Sequence, residues 1–128
     1  SGLTARRSPF SILSRARSFR RASSGLWRFA VVERNGWILG ICSALAIGGG
    51  FAVNLSHDEW RWIVLAIALV LIAELLNTAV EHLGDAVTVE RNDHVRHAKD
   101  IASGAVLAAI VAALLIGVSV FAPHVLRR

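Results

Sequence analysis

The chain has 128 residues, 55% of them hydrophobic and 18% charged, with a formal net charge of +5. So few charges with a positive mean hydropathy exclude an ordinary soluble domain of this size and point to an integral membrane protein. The placement of the positive charge argues against nucleic acid as a partner. Arg6, Arg7, Arg15, Arg17, Arg20, Arg21, Arg28 and Arg34 surround or precede the first apolar run with Glu33 as the only acid and no groove-reading motif.

Residues 1–9 contain Arg6, Arg7 and Pro9 without periodicity and read as a flexible tail; Ser1-Gly2 is set aside as an added start, and the segment does not read as a signal peptide. From about residue 10 to 32, Ile12, Ala16, Phe19, Leu26 and Ala30 recur at helical spacings with arginines between them. This predicts an amphipathic surface helix at the membrane interface, with a break expected at Ser23-Ser24-Gly25. The first span is expected over about 37–55, close to the ~20 residues that cross a bilayer. Its Gly48-Gly49-Gly50 run suits close helix approach. Cys42, the lone cysteine, lies within it and reads as a small packing residue.

A short acidic link, 54–59, offers Ser56 or Asp58 as an N-cap. The second span is expected over about 60–83, with Trp60 and Trp62 as interfacial anchors. A polar loop is expected over 84–98. The third span then runs over about 99–122, stopped by Pro123. Residues 10–128 thus form one membrane domain without an internal repeat. Positive charge on the N-terminal segment and the 84–98 loop predicts that both are cytoplasmic.

The second span carries an exception to its own apolarity. Glu74, Asn77 and Glu81 fall within an arc of roughly 60° on a helix, so they form one polar stripe. A carboxylate inside a bilayer costs at least about 2.5–3.5 kcal/mol, which marks it as functional. The expected topology gathers Glu33, Glu74, Asn77, Glu81, Lys99 and Asp100 at one membrane face, with Glu74 about 10 Å deeper than Glu81. Lys99 is the only lysine in the chain. Carboxylates with open ligand positions suit Mg²⁺ bridged to phosphates, and a compact ammonium suits a phosphate contact. The set suits ATP-dependent phosphorylation of a lipid hydroxyl. There is no Gly-rich phosphate loop of the common kinds. Spacing alone leaves a second reading open, an ion- or proton-coupled transporter using the same carboxylates.

Glu74-Leu-Leu-Asn77-Thr-Ala-Val-Glu81, then Asp85, then Ala98-Lys99-Asp100-Ile-Ala-Ser-Gly-Ala-Val-Leu resembles the prokaryotic diacylglycerol kinase family, which includes the undecaprenol kinases. Glu33-Arg34-Asn35 and Ser18-Phe19 also fit, and the likeness covers about residues 18–122. The resemblance implies an all-α homotrimer of the bacterial inner membrane, three spans and a surface helix per subunit, with active sites shared between subunits. It implies Mg²⁺-dependent transfer from ATP to a lipid alcohol, with a lean towards undecaprenol over diacylglycerol. By position, Glu74 resembles the general base and Asn77 the active-site asparagine. Glu33 and Glu81 resemble the metal-ATP carboxylates, Lys99 the phosphate contact, and Asp85 and Asp100 nucleotide-side groups. Two places depart from the family pattern. Gly36-Trp37 stand where an aromatic and a basic residue are usual, and Asn92 stands where a histidine is usual. His82, His94 and His97 are expected to be solvated loop residues.

Overall fold

The structure, a computed structural model, describes residues 11–127, so the expected tail over 1–9 lies outside the described residues. It consists of four helices: α1 (Ile12–Val32), α2 (Arg34–Val53), α3 (His57–Val87) and α4 (Asp93–Leu126). Three of them, α2, α3 and α4, are long and apolar enough to cross a membrane.

α1 is started by Ser11, whose side chain accepts from the backbone of Ser14 at 3.1 Å. It is continuous through Ser23-Ser24-Gly25, so the expected break does not occur. A single glycine costs only about 1 kcal/mol inside a helix, which twenty other helical residues readily absorb. α1 ends at Glu33, one extended residue that is at once its C-cap and the N-cap of α2. The first of the two departures from the family pattern, Gly36-Trp37, builds this corner. Gly36 is buried, and a Cβ there would overlap the carbonyl oxygen of Phe29. The neighbouring Trp37 donates its indole N–H to the Val31 carbonyl at 2.6 Å, satisfying an acceptor that the end of α1 leaves free.

α2 starts three residues before its expected beginning and stops at Asn54, whose left-handed φ of 56° suits an asparagine. α3 then begins with a complete capping box. Ser56 Oγ accepts from the Glu59 backbone at 3.2 Å, and Glu59 Oε1 accepts from the Ser56 backbone at 3.0 Å.

Both remaining spans are longer than expected. α3 runs on to Val87 and α4 begins at Asp93, so the expected loop over 84–98 contracts to residues 88–92. Polarity there marks where the helices leave the apolar zone, not where they end. Asn92 supplies the start of α4 by accepting from the Val95 backbone at 3.1 Å, and Asp93 suits the positive end of that helix. Pro123 does not stop α4, which continues to Leu126 and closes with an Arg127 N–H to Pro123 carbonyl bond of 3.2 Å. Proline removes one hydrogen bond, and so close to the end only one further turn has to form without it.

α3 and α4 form an antiparallel hairpin that provides most of the packing, and α2 leans more lightly on α3. The buried cluster of Leu55, Ile63 and Val120, backed by Trp60 and Phe121, lies at the end where α2 ends and α3 begins. Trp60 is thus half-buried against Phe51, with ring centroids 4.9 Å apart, while Trp62 stays exposed as an anchor would. A His124 to Glu59 contact of 2.7 Å ties α4 to α3 at the same end. Elsewhere large apolar side chains such as Leu76, Leu107, Leu114 and Leu115 are exposed. A surface this apolar is matched to lipid or to other protein.

Candidate active site

The end opposite the buried cluster collects the polar residues. The α1–α2 corner delivers Glu33 and Asn35, the last four turns of α3 deliver Glu74, Asn77, Glu81, His82 and Asp85, and the second turn of α4 delivers Lys99 and Asp100. The N-termini of α2 and α4 both face this end, so their positive dipole ends favour anions there.

Three contacts organise it. First, Lys99 Nζ lies 2.7 Å from Asp85 Oδ1 and 3.3 Å from Glu81 Oε2, joining α4 to α3. Gly84 makes room for this. A Cβ there would come within 2.8 Å of Lys99 Cε and 3.0 Å of Val95 Cγ1. An ammonium has three donors, so two carboxylates leave one direction open to a further anion. Second, His82 Nε2 lies 2.8 Å from Glu33 Oε1, which ties the α1–α2 corner to α3. His82 is therefore a helical residue with a carboxylate partner, exposed but not in a loop; His94 and His97 are likewise exposed on helix α4. Third, Asn35 Nδ2 donates to Glu74 Oε2 at 3.2 Å, bridging α2 and α3 one step deeper.

Asn77 lies between the two levels of α3. Its Oδ1 is buried without a hydrogen-bond partner, an open acceptor at the centre of the stripe. Asp100 stands exposed beside Lys99 and has no hydrogen bond or ion pair within the described residues. Each residue expected at this face from the sequence is thus at the same end of the bundle. Asn35 and His82 have equal standing in the geometry but were not distinguished by spacing. Their partners lie 39 and 49 residues away, and no local pattern joins them.

No group of three or more His, Cys, Asp or Glu side chains is arranged as a metal cage among the described residues. The donor set nevertheless fits Mg²⁺, which takes one or two carboxylates and fills its remaining positions with water and substrate phosphates. Glu33 and Glu81 each have one oxygen engaged and the other without a hydrogen bond among the described residues.

A groove of about 740 Å³ leads away from Asn35 and Glu74 between α2 and α4, floored by α3. Ile38, Leu39, Val70 and Leu114 are typical of its walls, and it reaches Val125 and Leu126 near the opposite end. Asn35 and Glu74 bring the polar end of the molecule into contact with this apolar channel.

A family model described as prokaryotic diacylglycerol kinase matches residues 20–121. An undecaprenol kinase of Bacillus subtilis (strain 168) is 38% identical over 107 residues, which is 84% of this chain and 87% of that protein. A diacylglycerol kinase of Synechocystis sp. is 35% identical over 111 residues, 85% of this chain and 63% of that one. A diacylglycerol kinase of Pseudomonas aeruginosa is 33% identical over 70 residues, 55% of this chain and 57% of that protein.

Proposed function

The chain belongs to the prokaryotic diacylglycerol kinase family and is a lipid kinase; from that premise we propose that it transfers the γ-phosphate of ATP to the hydroxyl of a membrane lipid alcohol, with Mg²⁺, as a homotrimer in the bacterial inner membrane. α1 lies on the cytoplasmic surface as an amphipathic helix, with arginines towards lipid phosphates, and the polar end of the bundle is cytoplasmic. The whole of residues 10–128 acts as one domain, and neighbouring subunits share the sites.

The observation that carries this reading is the two-level site on α3. Glu74 opens onto an apolar groove, while Glu81 and Asp85, about 10 and 16 Å further along the helix towards its polar end, meet Lys99. A water-borne donor and a membrane-borne acceptor need that separation. Glu74 accepts the proton of the lipid hydroxyl as its oxygen attacks the γ-phosphorus and the bond to the ADP oxygen breaks. Lys99 gives its free donor direction to the transferred phosphate, while Asp85 and Glu81 hold its ammonium in place. Glu33 and Glu81 would hold Mg²⁺, which when bound would neutralise charge on the phosphates. Asn77 offers its open acceptor between the two substrates, and Asp85 and Asp100 face the nucleotide side.

Between acceptors, undecaprenol is favoured over diacylglycerol. The undecaprenol kinase relative matches over 87% of its own length, and the apolar groove extends from Glu74 to Val125 and Leu126. An ion-coupled transporter built on the same carboxylates gains no support from any relative. The test is transfer of ³²P from ATP to undecaprenol and to diacylglycerol in mixed micelles, with and without Mg²⁺. Labelled lipid phosphate that requires the ion is expected, more of it on undecaprenol. Absence of transfer to either alcohol overturns the proposal.

A further inference from the structure

Among the described residues Glu74 has one hydrogen-bond partner, and that partner is not part of the Glu74–Asn77–Glu81 stripe. Asn35 reaches from the first turn of α2 and donates to Glu74 Oε2 at 3.2 Å. Both side chains line the groove, beside Ile38, Leu39 and Val70. Glu74 Oε1 has no hydrogen bond among the described residues. One carboxylate oxygen is held, and its twin has no partner among the described residues, on a side chain that lines the groove.

We propose that Asn35 is a positioning residue for Glu74, fixing Oε2 so that Oε1 meets the acceptor hydroxyl at the mouth of the groove. The inference rests on the reading of Glu74 as the base. The terminal torsion of a glutamate is soft, so a carboxylate with no partner on an apolar wall samples a broad range of orientations. A general base must come within about 2.6–3.2 Å of the group it deprotonates, and a displacement of 1 Å can cost about 100-fold. An amide is suited to this task because it supplies an N–H without a charge. An ammonium or guanidinium at the same point would form an ion pair with Glu74 and compete with the hydroxyl for it.

Asn35 is itself firmly held. The residue after it, Gly36, packs against the Phe29 carbonyl, and Trp37 is bonded to Val31. Glu33, two residues earlier, is tied to His82. The α1–α2 corner therefore carries one group for each substrate, Glu33 on the nucleotide side and Asn35 on the lipid side. A single turn of backbone sets their relative positions.

The experiment compares Asn35→Leu, Asn35→Gln, Glu74→Gln and the Asn35→Leu/Glu74→Gln pair in the full chain, reconstituted in mixed micelles with undecaprenol, with nucleotide affinity read by calorimetry. Asn35→Leu is expected to lower kcat by about 10–100-fold while KM for the lipid and nucleotide affinity change less than about twofold. Asn35→Gln, which keeps the donor, recovers part of the loss and separates it from a folding defect. In the Glu74→Gln background, Asn35→Leu is expected to lower the residual rate by less than about twofold, because a residue that acts through Glu74 has nothing left to position. Wild-type kcat in Asn35→Leu beside an inactive Glu74→Gln overturns the proposal and leaves the base intact. An equal fractional loss in both backgrounds, or a matching loss of nucleotide affinity, overturns it too. Full turnover in Glu74→Gln overturns the base assignment itself.

Discussion

Replacing Gly84 by alanine tests whether the place of the Lys99 ammonium matters as much as its charge. The new Cβ would stand 2.8 Å from Lys99 Cε and 3.0 Å from Val95 Cγ1. Carbon atoms settle at about 3.5–4.0 Å, so the lysine end must move by about 1 Å. Its present distances, 2.7 Å to Asp85 and 3.3 Å to Glu81, cannot both survive that displacement. Stability changes little. Crowding at Val95 costs about 1–3 kcal/mol, and alanine returns about 1 kcal/mol as the better helix former. Activity is the sensitive quantity, since a 1 Å misplacement near the reacting groups costs about 100-fold. Gly84→Ala is therefore expected to lose about 10–100-fold in phosphate transfer while its thermal midpoint shifts by only a few degrees. The assay is ³²P transfer from ATP beside a melting curve of the same preparation. Wild-type turnover in this variant would refute the claim that the α3–α4 contact positions Lys99 for chemistry.

Other perturbations separate structure from chemistry. Lys99→Arg keeps the charge but replaces a point donor by a planar fork; it is expected to lower turnover at least about tenfold, measured with saturating ATP, whereas a charge-only role predicts little change. Gly36→Ala forces a Cβ onto a backbone oxygen, an obstacle that no rotamer relieves, so α1 should separate from α2 and become more susceptible to limited proteolysis. Ser56→Ala removes the serine half of the α3 capping box, the Glu59 N–H to Ser56 Oγ bond, and should cost about 1 kcal/mol in denaturant titration with turnover per folded molecule unchanged, because it lies at the end away from the site.

Elements that depend on local spacing were legible in the sequence. The Glu74–Asn77–Glu81 stripe follows from the helical repeat, and the structure keeps it on α3. Of the two N-caps expected for α3, Ser56 and Asp58, the structure takes Ser56, and Glu59 adds the return bond that completes a capping box. Helix ends were less legible. Asp85 and Asp93 to His97 looked like loop because they are polar, yet helices α3 and α4 extend through them once Asn92 supplies a cap. Pro123 looked like a stop, and α4 absorbs it. The departures at Gly36 and Trp37 form a tight corner that no single-residue preference reveals. Least legible were the cross-helix partners. Asn35 with Glu74, His82 with Glu33, and His124 with Glu59 are separated by 39, 49 and 65 residues, and only packing brings them together.

The account depends most on Glu74 being the group that activates the lipid hydroxyl. Glu74→Gln keeps the shape of the side chain and an oxygen for the Asn35 amide, but it cannot take up the proton. Turnover with undecaprenol should fall by about 100–10,000-fold, the range associated with losing a general base, while Mg·ATP affinity by calorimetry stays within about twofold. Turnover close to wild type in this variant, with lipid phosphorylation verified by product analysis, would contradict the account.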